Sequence, residues 1–180
     1  VGGAAISAMP FPGVAARLSR YSYLVSLMPR EIIADLELDV ELIRRRYSSY
    51  TPLPSNPAKG LLVDTADEQA TAAAFARATG SDTEFGAWQW VYERMGEIAR
   101  RLFPTLIEPL RSADEIRARV TDGDYSLAEL WELLTCRPLG ELIERYFDDD
   151  VVRGIVATDG LIGTFTDLHD PSLRQNLSLI

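Results

Sequence analysis

From Phe85 to Leu102 the apolar side chains Phe85, Trp88, Val91, Tyr92, Met95, Ile98, Ala99 and Leu102 recur at intervals of three and four. That spacing predicts an amphipathic helix with a single apolar stripe. Gly80 precedes it and Pro104 follows it, so the helix is expected to start at Ser81 or Asp82 and to reach Phe103. A helix of this length must bury its stripe. The rest of the chain is therefore expected to pack around it as the backbone of the core.

The flanking sequence supplies the partners. Residues 15–22 read as a strand and Tyr23–Leu36 as helix, broken at Pro29, which opens a second helical piece. Residues 40–51 and 61–65 read as strands of a hairpin, joined by a long loop through Asn56-Pro57 and Gly60. Thr65 with Glu68, Ser112 with Glu115 and Ser126 with Glu129 have the spacing of capping boxes. Asp122-Gly123-Asp124 reads as a turn, Pro138 as the start of a helix, and Asp148 or Asp149 as the cap of a last helix through Leu161. The fold class expected is α+β: a predominantly helical domain with a small antiparallel sheet of two or three strands.

Charge and composition exclude several functions. The net charge of −9 opposes a phosphate backbone, so no nucleic-acid partner is expected. One cysteine and one histidine cannot close a tetrahedral zinc shell, and no metal site is expected. A single Cys136 forms no internal disulfide, which suits a reducing, cytoplasmic setting. No apolar run approaches the length of a membrane span, and the start VGGAAI lacks the basic flank of a signal peptide.

Residues with chemical potential are few, and each has a plainer reading. His169, flanked by Asp167 and Asp170, is expected as a surface loop histidine rather than a base. Cys136 falls near a helix C-terminus, where the dipole disfavours a thiolate, and reads as a buried, inert thiol. Arg44, Arg45 and Arg46 read as charge guarding a strand edge rather than an anion site. Asp148, Asp149 and Asp150 read as an acidic helix start rather than a metal loop. Trp88, Trp90, Trp131 and the tyrosines have the makings of an apolar cavity wall but read first as core. Trp88 and Trp90 lie two apart on one helix, so one of them is expected to be uncovered. No catalytic residue is assigned. There is no G-x-G-x-x-G and no phosphate-loop pattern.

The opening phrase Val1-Gly2-Gly3-Ala4-Ala5, the Phe11-Pro12-Gly13 segment, the stretch RLSRYSYLVSLMPREI, the Ser126-Leu127-Ala128-Glu129-Leu130 helix and Arg145-Tyr146-Phe147-Asp148-Asp149 follow one another in a telling order. In order and phrasing the chain resembles the middle of FAD-dependent oxidoreductases of the phytoene dehydrogenase-like family. The branch it is most similar to is the pyridine nucleotide-disulfide oxidoreductase-like one. The resemblance implies that Gly2, Gly3 and Ala4 lie against FAD, since backbone without a Cβ can approach a cofactor closely. It also implies hydride removal from an apolar substrate by the flavin, with no acid–base dyad required.

On that resemblance residues 1–14 are the remnant of an FAD-binding domain, 15–165 a substrate-binding domain, and 166–180 a truncated connection back. The chain then looks like a fragment that holds FAD only weakly and is inactive alone. Its partners would be an apolar small molecule and the missing FAD-binding domain, with homodimerisation through exposed apolar surface as a further option. The alternative is a free-standing helical binding or interaction module without redox activity.

Overall fold

The computed structural model describes residues 6–19, 27–162 and 164–179. The chain divides into two compact units, Val1–Arg44 and Arg45–Ile180. Gly2, Gly3 and Ala4 lie outside the described residues, as does the stretch 20–26 that opens the expected Tyr23 helix.

In the first unit, β1 (Ser7–Ala8) pairs antiparallel with β2 (Leu18–Ser19). Of the strand expected over 15–22, only β2 is regular among the described residues. The chain turns between the two strands at Gly13, whose φ of 79° is the left-handed conformation that glycine adopts without strain. Helix α1 (Arg30–Asp35) opens directly after Pro29, as the proline break predicts. Residues 38–45 carry no regular structure, so the strand expected from residue 40 begins later. A strand needs a partner, and pairing in the next hairpin ends at Tyr47 opposite Asp64.

The second unit opens with that hairpin, β3 (Tyr47–Leu53) and β4 (Asn56–Asp64). The two strands join through Pro54-Ser55 alone, so the expected long loop is a tight turn followed by a bulge. Leu53 pairs with Asn56 while Pro52 pairs with Gly60, which leaves residues 57–59 looped out of β4. Pro57 has no N–H to give the ladder, and the Asn56 side chain accepts the Ala58 N–H locally at 3.2 Å. Gly60 lies under the Tyr50 ring, and a Cβ there would come within 2.5 Å of it.

Helices follow from there: α2 (Glu68–Thr79), α3 (Thr83–Leu102), α4 (Ala113–Thr121), α5 (Tyr125–Cys136), α6 (Leu139–Tyr146) and α7 (Asp150–Leu161). With its two small two-stranded sheets the chain is α+β and mainly helical, as expected. Gly80 ends α2 with a φ of 72°. Ser112 and Glu115 form the capping box of α4. The Asp122–Gly123 turn has positive φ at both residues, Pro138 opens α6, and Asp149 caps α7 through the N–H groups of Val151 and Val152.

Two caps differ from the sequence reading. Asp67, not Thr65, caps α2 by accepting from Ala70, while the Thr65 hydroxyl donates back across the hairpin to the Arg46 carbonyl. Asp124, not Ser126, caps α5. In both cases a carboxylate rather than a hydroxyl takes the orphan N–H groups, and a charged acceptor also complements the helix dipole.

The stripe of α3 does what its spacing demands. Val91, Met95 and Ile98 are buried with Phe75 of α2, Leu61 of β4, Leu127, Leu130 and Leu134 of α5, Leu142 and Ile143 of α6, and Val152 of α7. The last residues return to this core. Asn176 bridges the α5–α6 corner: its amide donates to the carbonyls of Leu134 and Arg137 at 2.8 and 2.7 Å, and its oxygen accepts the Leu139 N–H at 3.1 Å.

Candidate functional site

One face of α3 lines a groove of about 330 Å³ between the end of β4 and the first turns of α2. Phe85, Trp88 and Tyr92, at steps of three and four along α3, form its wall. Phe85 stacks on Trp88 with centroids 6.1 Å apart, and Trp88 lies tilted on Tyr92 at 4.7 Å. Phe75 of α2 meets Phe85 edge-on at 5.5 Å from behind. Across the groove stand Val63, Asp64, Thr65, Glu68 and Thr71, with Gln89 and Glu93 on the rim of α3.

The polar groups of this groove divide into engaged and free. Asp64 is engaged on every side. Arg46 donates Nε and Nη2 to its carboxylate at 2.9 and 2.8 Å, and the Ala66 N–H adds a third bond at 3.0 Å. The Arg46 bond is the largest influence holding the Asp64 carboxyl below the ordinary carboxylate range. The Thr71 hydroxyl donates to the Asp64 carbonyl at 3.0 Å. The Tyr92 hydroxyl donates to Asp159 Oδ2 of α7 at 3.0 Å, 67 residues away. Burial first and the Asp159 charge second push the phenol above its usual range, so it stays protonated. The Trp88 indole Nε1 is buried without a hydrogen bond of normal geometry. Glu68 and Glu93 are exposed, and neither makes a hydrogen bond or an ion pair. The groove is thus lined by three rings packed on one another and by two carboxylates without partners. Its hydroxyls and phenol are engaged in structural bonds rather than poised for proton transfer.

A larger groove of about 540 Å³ lies between α4, α5 and α6. Arg117, Arg137 and Arg145 face Glu129, Glu132 and Glu141 there, and Arg145 pairs with Glu129. Its opposite charges are equal in number, so it selects no sign of ligand.

The remaining candidates are dispersed. His169 is at the surface, with Nε2 3.1 Å from Glu144 Oε1 of α6. The Asp170 carboxylate turns away from it, to the Thr166 hydroxyl and the Ser172 N–H, and is held down to about 2 by those bonds. His169 and Asp170 therefore form no dyad. Cys136 is exposed rather than buried, because it lies beyond the buried Leu127–Leu130–Leu134 face of α5. The arginine run lies ahead of β3 rather than on it. Arg45 donates to the Ser48 carbonyl at 2.9 Å and Arg46 holds Asp64, so edge protection does not describe it.

Asp148, Asp149 and Asp150 form the start of α7, where the N–H groups of Asp148 and Asp149 donate to the buried Glu84 at 3.0 and 3.2 Å. Trp88 and Trp90 are both half-buried, where one was expected to be uncovered. α3 is covered on two flanks, and Trp90 stacks on Tyr146 at 5.1 Å beneath the Arg94 guanidinium. The spacing of Phe85, Trp88 and Tyr92 announces a shared face. Nothing in the sequence announces that the end of β4 stands across from it.

An uncharacterized protein of Mycobacterium tuberculosis, like its counterpart in Mycobacterium bovis, is 42% identical to this chain over 181 residues, covering 99% of the chain and 34% of the relative. Pyridine nucleotide-disulfide oxidoreductase domain-containing protein 2 of Rattus norvegicus is 28% identical over 196 residues, covering 95% of the chain and 33% of the relative. The mouse protein of that name is 27% identical over 199 residues, with the same coverage. The chain spans about a third of the length of the curated relatives it matches. These likenesses establish a distant, oxidoreductase-like relationship. No family profile and no solved structure matches the chain. Among the described residues no helix is long and apolar enough to cross a membrane.

Proposed function

We propose that this chain is the substrate-binding portion of an FAD-dependent oxidoreductase of the phytoene dehydrogenase-like family, cytoplasmic, acting on an apolar substrate by hydride transfer to flavin. The observation that carries the reading is the 28% identity to a pyridine nucleotide-disulfide oxidoreductase domain-containing protein along 95% of the chain. In this reading residues 1–14 belong to the cofactor domain, 15–165 wall the substrate, and 166–180 lead back. The exposed apolar side chains of each unit support the idea that more protein packs on them. Leu36, Leu42 and Ile43 are examples in the first unit, and Leu106, Leu110 and Phe165 in the second.

Four of the seven α-helices among the described residues have side-chain caps at their starts. A dinucleotide pyrophosphate is held by free N–H groups at a helix start. The first turns of α2, α4, α5 and α7 already give N–H groups to Asp67, Ser112, Asp124 and Asp149. The contacts proposed for FAD fall on Gly2, Gly3 and Ala4, where backbone can approach closely. The chain's own contribution is to position substrate and exclude water.

The test compares two purified proteins by visible absorption after gel filtration with FAD. The full-length Mycobacterium tuberculosis relative is expected to retain flavin absorbance and the present chain to lose it. A colourless full-length relative overturns the oxidoreductase reading. Stoichiometric FAD on the present chain overturns its assignment as the substrate-binding portion alone.

A further inference from the structure

We infer that residues 38–42 are a β-strand without its sheet, and that it adds to a sheet edge in the part of a longer protein that these 180 residues leave out. The inference rests on the reading of this chain as one portion of such a protein. Leu38, Asp39, Val40, Glu41 and Leu42 alternate strictly between apolar and acidic. In an extended chain a period of two sends the apolar side chains to one face and the acids to the other. That is the pattern of a strand in a sheet with one face covered and the other in water. Neither glycine nor proline interrupts residues 36–46.

The structure leaves the pattern unsatisfied. Residues 38–45 carry no regular structure. The Leu38 N–H is tied back to the Ile33 carbonyl of α1 at 3.0 Å, but among the described residues nothing bonds to residues 39–44 through backbone or side chain. Leu38, Val40 and Leu42 are 42%, 52% and 59% exposed. A run of free N–H and C=O groups with one apolar face is what strand addition to a sheet edge consumes.

A second copy of the chain does not suit this segment. Antiparallel pairing centred on Val40 sets Asp39 opposite Glu41 twice, and parallel pairing in register sets each acid against itself. Like charges directly opposite destabilise a strand pair. A slip of one residue turns the apolar side chains of one copy onto the acidic face of the other. The curated relatives offer another source. The chain covers 34% and 33% of them, which leaves about two thirds of each to supply the edge.

Hydrogen exchange, read amide by amide with electron-transfer fragmentation, compares this chain with the full-length Mycobacterium tuberculosis relative. In this chain the amides of residues 39–43 are expected to exchange as in an unfolded peptide. In the relative, every second amide of the aligned segment is expected to exchange about a hundredfold more slowly, because a neighbour on one side takes alternate N–H groups. Free exchange across that segment of the relative, or protection without alternation, would overturn the proposal. Protection in this chain that grows with its concentration would also overturn it, since a second copy would then be the occupant. Visible absorbance of the same relative separates this inference from the oxidoreductase reading. A flavin-bearing relative with free exchange removes the strand and keeps that reading, whereas a colourless relative with alternating protection does the reverse.

Discussion

Arg46 and Asp64 close the open end of the β3–β4 hairpin, with Arg46 Nε and Nη2 on the two oxygens of a buried carboxylate at distances down to 2.8 Å. The same carboxylate receives the Ala66 N–H, so one side chain joins the hairpin to the turn that starts α2. Asp64 titrates lower in the folded chain than in the unfolded one. Its contribution to stability is therefore complete above the ordinary carboxylate range and is lost as pH falls through the folded value. Asp64→Asn is expected to lower the urea midpoint at pH 7, with the gap to the parent shrinking in acid. A gap independent of pH would assign no role to the charge.

Tyr92 and Asp159 tie α3 to α7. Because burial and the Asp159 charge oppose ionisation, Tyr92 is expected to stay protonated when ordinary tyrosines have titrated. Ultraviolet titration should show the alkaline spectral change of the folded chain unaltered by Tyr92→Phe until the protein unfolds. Loss of one tyrosine's amplitude near the normal range in that variant would contradict the burial.

Gly140 and Gly160 both lie inside helices, and alanine there is expected to behave differently at each. A Cβ on Gly160 would meet the Gln175 carbonyl at 2.7 Å as well as Leu139, and backbone yields little. The atoms nearest to a Cβ on Gly140 would be those of the His169 imidazole, a half-exposed side chain that can swing away from Glu144. Gly160→Ala is expected to destabilise by about 1–3 kcal/mol. Gly140→Ala is expected to be near neutral, since the helix gains up to about 1 kcal/mol from alanine. Equal midpoints in urea would refute the distinction.

Asn176→Ala leaves the carbonyls of Leu134 and Arg137 and the N–H of Leu139 without their partner at a buried corner. A cost of about 2–3 kcal/mol is expected, within the range for a buried polar group left unsatisfied. Equilibrium unfolding measures it, and a cost below about 0.5 kcal/mol, the low end for one hydrogen bond, would mean that water replaces the amide.

Cys136 is exposed at the end of α5 and is expected to react with a thiol reagent in native buffer as completely as in denaturant. A lag that only denaturant removes would restore the buried thiol that its sequence context suggests.

Local rules were enough for the helix signals, though not for the bounds of the strands, which pairing decided. The three-and-four spacing of α3, the Ser112–Glu115 box, the Gly80 stop and the Pro29 and Pro138 starts each depend on residues within one turn of each other, and all stand in the structure. Errors arose where a competing partner lay farther along. Thr65 had cap spacing but gave its hydroxyl to Arg46, and the arginine run found Asp64 eighteen residues on. Cys136 and the two tryptophans were misjudged because exposure depends on which neighbour covers a face.

The sequence by itself determined the helices from α2 to α7, the Ser112–Glu115 capping box and the aromatic spacing along α3, because these are settled by chain geometry over a few residues. Only the tertiary structure decided that the Phe85–Trp88–Tyr92 face would look across a groove at Glu68 and the end of β4. Long-range packing sets which faces meet, and it also decides which carboxylates find partners and which, like Glu68 and Glu93, do not.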